Sequence, residues 1–206
     1  MPSEIFLLAG EASGDERGAE LIRELRKKDP LLSFSGMGGP KMKSEEMEVL
    51  TDLSHLAVVG IFEVLKHYRI FKRSMDQLLQ EIERRKPLAI IGIDYPGFNL
   101  RLLQKVHRFR SKEKKPKLIQ YISPQLWAWD EKRKWKMAEY LDLLLCLFPF
   151  EPAIYSETKL KAIFAGHPLA QSTYYPEESR DSNLIALFPG SREKELRAHM
   201  PVFMEL

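Results

Sequence analysis

Cysteine is nearly absent. A single one, Cys146, stands in 206 residues, so no internal disulfide forms and nothing requires an oxidising compartment. Charge of one sign is scarce too: 32 lysines and arginines face 29 acids, a formal excess of +3, too small to argue for a nucleic-acid partner. No uncharged apolar run reaches the roughly 18 residues of a membrane span; that excludes a spanning helix and leaves peripheral attachment open. The chain passes from Met1-Pro2-Ser3-Glu4 straight into Ile5-Phe6-Leu7-Leu8, without the basic and then apolar stretches of a secretory signal. Neither a dinucleotide glycine fingerprint nor a P-loop follows that first apolar run, which disfavours a nicotinamide-dependent oxidoreductase. Ser13 lacks the Gly-x-Ser-x-Gly elbow of hydrolases. No His, Cys and carboxylate cluster has metal-ligand spacing, so neither metal nor cofactor is expected. Internal repeats and low-complexity tracts are missing.

What is present is the balance of a globular chain, 44% hydrophobic and 30% charged. Short apolar runs alternate with amphipathic stretches, the pattern of repeated βαβ units. Strands are predicted over residues 5–9, 32–36, 89–93, 118–122, 143–147, 162–164 and 184–187. Several are apolar at consecutive positions, which suits parallel strands buried on both faces. Residues 16–28, 71–85 and 100–109 carry apolar side chains at helical spacing. The fold class expected is α/β, a Rossmann-like doubly wound parallel sheet. A βαβ unit takes about 30 residues, so the unit opening at Leu184 is unfinished at Leu206. The expected division is therefore a domain over 1–171, then over 172–206 a polar linker and the first strand and helix of a second, truncated domain.

In an open parallel sheet, ligands bind beyond the carboxyl ends of the strands. The first such loop, Ala9-Gly10-Glu11-Ala12-Ser13-Gly14-Asp15, joins small residues and two acids to a helix start with free N–H groups; it reads equally as a tight turn with Asp15 as N-cap. Gly36-Met37-Gly38-Gly39 implies positive backbone dihedrals or close ligand approach. Asp94 closes a strongly apolar strand, where partial desolvation would raise its pKa and suit it to general-base work, or where it caps the next turn. Trp127 and Trp129 follow Tyr121 and Ser123, a set suited to sugar or acyl-chain contact or to anchoring a helix in the core. His167 reads as a structural hydrogen-bond partner. Gly190, Ser191 and Arg192 suit a diphosphate cradle, or Arg192 is a solvated surface residue. Val58, Val59, Ile61, Phe62 and Leu65 followed by basic residues suit an interfacial helix on anionic lipid, or a core helix with a charged end. The basic run over residues 108–117 reads as a solvated connection.

In series these loops resemble the lipid-A-disaccharide synthase family. The resemblance rests on Ala9-Gly10-Glu11-Ala12-Ser13-Gly14-Asp15, Gly36-Met37-Gly38-Gly39, Val59-Gly60-Ile61-Phe62-Glu63-Val64-Leu65 and Asp94-Tyr95-Pro96-Gly97-Phe98-Asn99. It continues through Ser123-Pro124-Gln125-Leu126-Trp127-Ala128-Trp129, Phe148-Pro149-Phe150-Glu151, Gly166-His167-Pro168-Leu169 and Pro189-Gly190-Ser191-Arg192. Gly97 departs from it, standing where the family usually has a second aspartate.

The resemblance implies a GT-B fold of two Rossmann-like domains with the active site between them, residues 1–171 being the acceptor side. It implies metal-independent, inverting transfer from UDP-2,3-diacylglucosamine to 2,3-diacylglucosamine 1-phosphate, giving a β-1,6-linked disaccharide and UDP. Asp94 would be the base and Glu11 a positioning or alternative acid. Ser13, Gly14, Asn99, Ser123 and Trp127 would contact substrate, and Arg192 with the Gly190–Ser191 turn would face the diphosphate. Val58, Val59, Ile61, Phe62 and Leu65 would take acyl chains or meet the inner membrane, placing the protein at the cytoplasmic face of a Gram-negative-type cell. Family members are close to twice this length, so the isolated chain is expected to have little or no transferase activity. Two other readings stand beside this one: another GT-B UDP-sugar enzyme such as an epimerase, and a non-catalytic lipid- or sugar-binding remnant.

Overall fold

A computed structural model describes residues 3–52, 68–109, 115–171, 184–190 and 193–205. The chain divides into two compact units, Met1–Gln171 and Ser172–Leu206.

In the first unit the apolar runs become one parallel sheet. Its strands are β1 (Glu4–Ala9), β2 (Ser33–Met37), β3 (Glu48–Thr51), β4 (Ala89–Ile93), β5 (Lys117–Tyr121), β6 (Leu143–Cys146) and β7 (Ala162–Phe164). They lie in the order β3-β2-β1-β4-β5-β6-β7. The helices are α1 (Ala12–Lys28), α2 (Pro40–Ser44), α3 (Tyr68–Arg85), α4 (Pro96–Phe109), α5 (Leu126–Trp129), α6 (Arg133–Tyr140) and α7 (Glu151–Ile154).

Alternation within β1 shows why its apolar residues run without interruption. Phe6 and Leu8 join a core with Ile90, Leu118, Leu78 and Leu102. Ile5, Leu7 and Ala9 join a second core with Ile22, Met42, Ile91 and Ile93. Successive strand residues point to opposite faces, and both faces of this strand are covered. Between β1 and β2 the backbones come close at Gly36: its φ is +135° and a Cβ there would strike the Leu7 carbonyl oxygen, so glycine is required.

The structure differs from the sequence reading at several places. Helix α1 starts at Ala12 rather than residue 16, and α4 at Pro96, whose fixed φ suits a first helical turn. Strand β3 is additional; it is a four-residue edge strand, exposed at Glu48 and only half-buried elsewhere, so it lacks the fully apolar signature. The strand expected over 184–187 does not form: residues 184–190 have no regular structure. A strand needs a ladder partner, and this segment has none among the described residues. Its side chains stand open instead, with Ile185 82% and Phe188 86% exposed. The second unit's described regular element is α8 (Glu193–Met204). No helix among the described residues is long and apolar enough to cross a membrane.

Candidate functional site

The strand order places a topological switch between β1 and β4, where chain connections diverge to either side of the sheet. Ala9 pairs with Ile93 in parallel register, so the Gly10-Glu11 and Asp94-Tyr95 segments leave the sheet side by side. Asp94 is half-buried at this edge. It and Tyr95 both adopt left-handed backbone, with φ of 49° and 45°. Aspartate visits this region with modest strain; a bulky residue such as tyrosine does so rarely. The Tyr95 ring lies where a Cβ on Gly10 would sit, which fixes glycine in the first loop for close approach. Burial and then the charge of Glu11 push the Tyr95 phenol pKa up, so Glu11 and Tyr95 share one electrostatic neighbourhood.

Two amides hold the strained turn. Asn99 Nδ2 donates to the carbonyls of Asp94 (2.9 Å), Leu8 (3.0 Å) and Ile93 (3.3 Å). Gln120 Nε2 also donates to the Asp94 carbonyl (2.9 Å) and lies 3.3 Å from those of Tyr121 and Ile122. The Asp94 amide donates to the Tyr121 carbonyl at 2.9 Å. Both amide side chains are fully buried, and their carbonyl oxygens, Asn99 Oδ1 and Gln120 Oε1, have no hydrogen-bond partner among the described residues. They pack over Gly92, where a Cβ would meet Gln120 Oε1 at 2.6 Å and Asn99 Cβ at 3.0 Å. The Asn99 amide is thus directed into the fold, not toward an open site. In the sequence Gln120 is marked only as a lone polar residue within the apolar run of β5.

In the first loop Ser13 is exposed on the opening turn of α1, and Gly14 is buried where a Cβ would lie 3.4 Å from Ala9 Cβ and the Ile93 carbonyl oxygen. Asp15 is not the N-cap of its own helix; Glu11 occupies that position. Asp15 instead accepts from the backbone amides of Gly39 (2.8 Å), Lys41 (2.9 Å) and Met42 (3.0 Å). It therefore caps α2 from a neighbouring helix, satisfying donors that every helix start leaves open.

Three later loops meet through aromatic rings. Trp127, half exposed, stands edge-on to Phe150 with centroids 5.7 Å apart. Phe150 stacks on Phe148 at 5.6 Å, and Phe148 meets His167 at 5.7 Å. His167 Nδ1 accepts from the Leu169 amide at 3.2 Å. Glu151, 1% exposed, accepts from the amides of Leu147 and Phe148, both at 2.9 Å, and so ties down the loop after β6. Ser123 is buried, its Oγ 3.0 Å from the Tyr155 hydroxyl. Burial pushes the Tyr155 phenol up to about 12; burial and then the Glu151 charge push the Cys146 thiol up to about 12. Trp129 lies in α5.

Gly190 belongs to the second unit, with φ of +108°. Ser191 and Arg192 lie outside the described residues, as do Val58, Val59, Ile61, Phe62 and Leu65. Among the described residues no group of three or more His, Cys, Asp and Glu side chains is placed to hold a metal ion.

The family model described as lipid-A-disaccharide synthetase matches residues 5–206. The chain is 42% identical to the lipid-A-disaccharide synthase of Geobacter sulfurreducens over 98% of its own length and 54% of that protein. Against the Gluconobacter oxydans enzyme it is 39% identical over 98% of this chain and 50% of that one. The chain therefore spans about half the length of these curated relatives. Among solved structures, Acinetobacter baumannii MurG aligns with 81% of this chain and 46% of its own at 10% identity, with a TM-score of 0.46, too slight a likeness to bear on function.

Proposed function

The chain belongs to the lipid-A-disaccharide synthase family, and on that premise we propose that residues 1–171 form the acceptor-side half of a metal-independent inverting glycosyltransferase. Its substrates are UDP-2,3-diacylglucosamine and 2,3-diacylglucosamine 1-phosphate. The observation that carries this reading is the half-buried Asp94 carboxylate at the switch point, beside the Glu11 loop. In the reaction the acceptor 6-hydroxyl attacks the anomeric carbon of the donor from the face opposite UDP. Its proton passes to Asp94, the new C–O bond forms, and the bond to the diphosphate breaks with its electron pair leaving on UDP. A positioned carboxylate serves such a proton transfer, and charge leaving on the diphosphate needs cationic and N–H partners.

Those partners are assigned to Gly190, Ser191 and Arg192 of the second unit. Glu11 orients the acceptor or supplies an alternative acid. Ser13 and Trp127, both exposed, are the better placed of the substrate contacts; Ser123, Gly14 and Asn99 support the loops from within. The segment holding Val58, Val59, Ile61, Phe62 and Leu65 meets acyl chains or the cytoplasmic face of the inner membrane.

The test is Asp94→Asn in the chain carried to the full length of its relatives. Transfer is expected to fall by about 10²–10⁴-fold with UDP binding intact; unchanged transfer removes Asp94 as the base. The 206-residue chain by itself is expected to show little turnover, and turnover near that of a full-length relative overturns that expectation.

A further inference from the structure

A groove of about 500 Å³ runs between α3 and α4, within the usual range of small-molecule sites of about 300–1,000 Å³. Its floor is apolar: Phe71 and Met75 come from α3, Tyr95 and Phe98 from the turn and first residues of α4. The rings of Phe71 and Tyr95 lie 6.4 Å and 6.2 Å from that of Phe98. Its rim is cationic. Lys72 lies on one side, and Arg101, Lys105 and Arg108 follow one another along α4, against the single acid Asp76. Spacings of three and four residues place those α4 cations on one helix face.

Among the described residues these cations have no acidic partner. All four are exposed, and none forms an ion pair with a carboxylate among the described residues. Elsewhere on the same unit exposed cations do find acids: Arg23 with Glu45, Lys27 with Glu24, Arg84 with Glu81. An apolar trough edged by an excess of positive charge is complementary to one kind of small molecule, an apolar tail joined to an anionic head. The groove also has a direction, because Tyr95, which lines it, directly follows Asp94 in the strained turn.

We propose that this groove is the subsite for the acyl chain and phosphate of the acceptor. The chain lies on Phe71, Met75 and Phe98, and the phosphate meets Arg101, Lys105 and Arg108. This rests on the glycosyltransferase reading above and deepens it, since it assigns the acceptor, not the donor, to the α3–α4 face. The occupant is a single amphiphile, not a bilayer surface: a groove of about 500 Å³ between two helices has room for one tail, whereas lying on a membrane calls for a broad apolar face.

The probe is dodecyl phosphate below its micelle-forming concentration, with binding to the 206-residue chain followed by calorimetry. Saturable binding is expected. Octyl phosphate should bind at least tenfold more weakly, because each buried methylene contributes a severalfold factor. Dodecyl maltoside and inorganic phosphate should each bind at least tenfold more weakly than dodecyl phosphate. The double variant R101E/K105E alters exposed residues, so it should fold normally; it should lose dodecyl phosphate at least tenfold while its weak maltoside binding is unchanged. Acylated glucosamine 1-phosphate should displace the probe and UDP should not.

Equal affinity for the phosphate and the maltoside overturns the cationic part of the site. Indifference to tail length overturns the apolar part. Binding to phosphatidylglycerol vesicles with none to dodecyl phosphate overturns the proposal in favour of a membrane surface, and displacement by UDP overturns the assignment to the acceptor. Asp94→Asn should bind dodecyl phosphate with unchanged affinity. Failure of Asp94 as base therefore appears in the transfer assay alone, and failure of the groove in the binding assay.

Discussion

The two edges of the sheet are built on opposite principles. At the amino edge the Arg85 guanidinium meets Glu4 at 3.0 Å, Glu48 at 2.7 Å and Glu81 at 2.7 Å, and Ser35 Oγ donates to Glu4 at 2.7 Å. One arginine fork thus joins the starts of β1 and β3 to the end of α3, with its donors matched to carboxylates. At the carboxyl edge, three buried oxygens, Thr51 Oγ1, Asn99 Oδ1 and Gln120 Oε1, have no partner among the described residues. Left-handed backbone occurs near both edges but serves different ends. Lys86 directly follows the last residue of α3, where such a conformation closes a helix. Asp94, Tyr95 and Ile122 follow strands β4 and β5 instead, and a β-branched residue there is a genuine outlier. Strain and unmet polar groups gather where chemistry is proposed, and the fork of one arginine on three carboxylates stands at the other end. A surrounding structure that over-determines one edge permits strain of about 1–3 kcal/mol per residue at the other.

The sharpest way to break this contrast is to change one residue at each edge of the family-length protein. Asp94→Asn should remove about 10²–10⁴-fold of transfer and leave the melting temperature nearly unchanged. Arg85→Met should do the reverse. If Arg85→Met lowers turnover of the folded protein as much as Asp94→Asn does, the edges are not separable. Next in size is Gln120→Leu. It removes the buried amide shared by three carbonyls and should cost about 3 kcal/mol by denaturant unfolding. It should also lower transfer more than the matched loss of folded protein explains, because Asp94 loses one of the two amides on its carbonyl. A stability loss with no extra loss of turnover would reduce Gln120 to a packing residue.

How far each edge could be read from the sequence follows from where its interactions come from. The strands with both faces buried stood out because their residues are consecutively apolar, and Asp94 stood out because it ends such a run. Residues 184–187 carry a similar run and form no strand, since a ladder depends on a partner that local pattern does not contain. Ala12, Ser13 and Gly14 read as turn residues yet open α1, and of the three only Gly14 is buried, beside Ala9 and Ile93. Asp15 was legible as a capping residue, but the helix it caps begins 25 residues later. The meeting of Trp127, Phe148, Phe150 and His167 joins loops after three different strands, as the Arg85 fork joins three elements. Neither has any periodicity to reveal it.

The Arg85 fork should show itself in acid. Arg84 and then Arg85 hold Glu81 down to about 2, and Arg85 lowers Glu48. A carboxylate with a depressed folded-state pKa contributes stability that is present above its ordinary value and lost as pH falls through the folded one. The window therefore runs from about 4.5 down to about 2. Arg85→Met should cost about 2 kcal/mol near neutrality, as loss of hydrogen bonds to charged groups does, and should flatten the acid limb of the stability profile.

The carboxyl edge should answer at the opposite end of the pH scale. Burial holds Tyr155 and Cys146 up to about 12, against ordinary values of 10.0 and 9.0. The fold thus favours their neutral forms: the stability is whole below the ordinary values and is lost as pH climbs toward about 12. Tyr155→Phe removes one of these ionisations and the hydrogen bond to Ser123, so it should cost about 1 kcal/mol at neutral pH while making the alkaline limb shallower. Its acid limb should match that of the unaltered protein, and Arg85→Met should leave the alkaline limb as it was. In the same buffers the native Cys146 thiol should resist thiol reagents at pH 8, since the thiolate is the reactive form, and should become reactive on unfolding. A Tyr155→Phe variant that steepens acid unfolding would mean that the sheet conveys strain from one edge to the other, and the division of labour between them would fail with it.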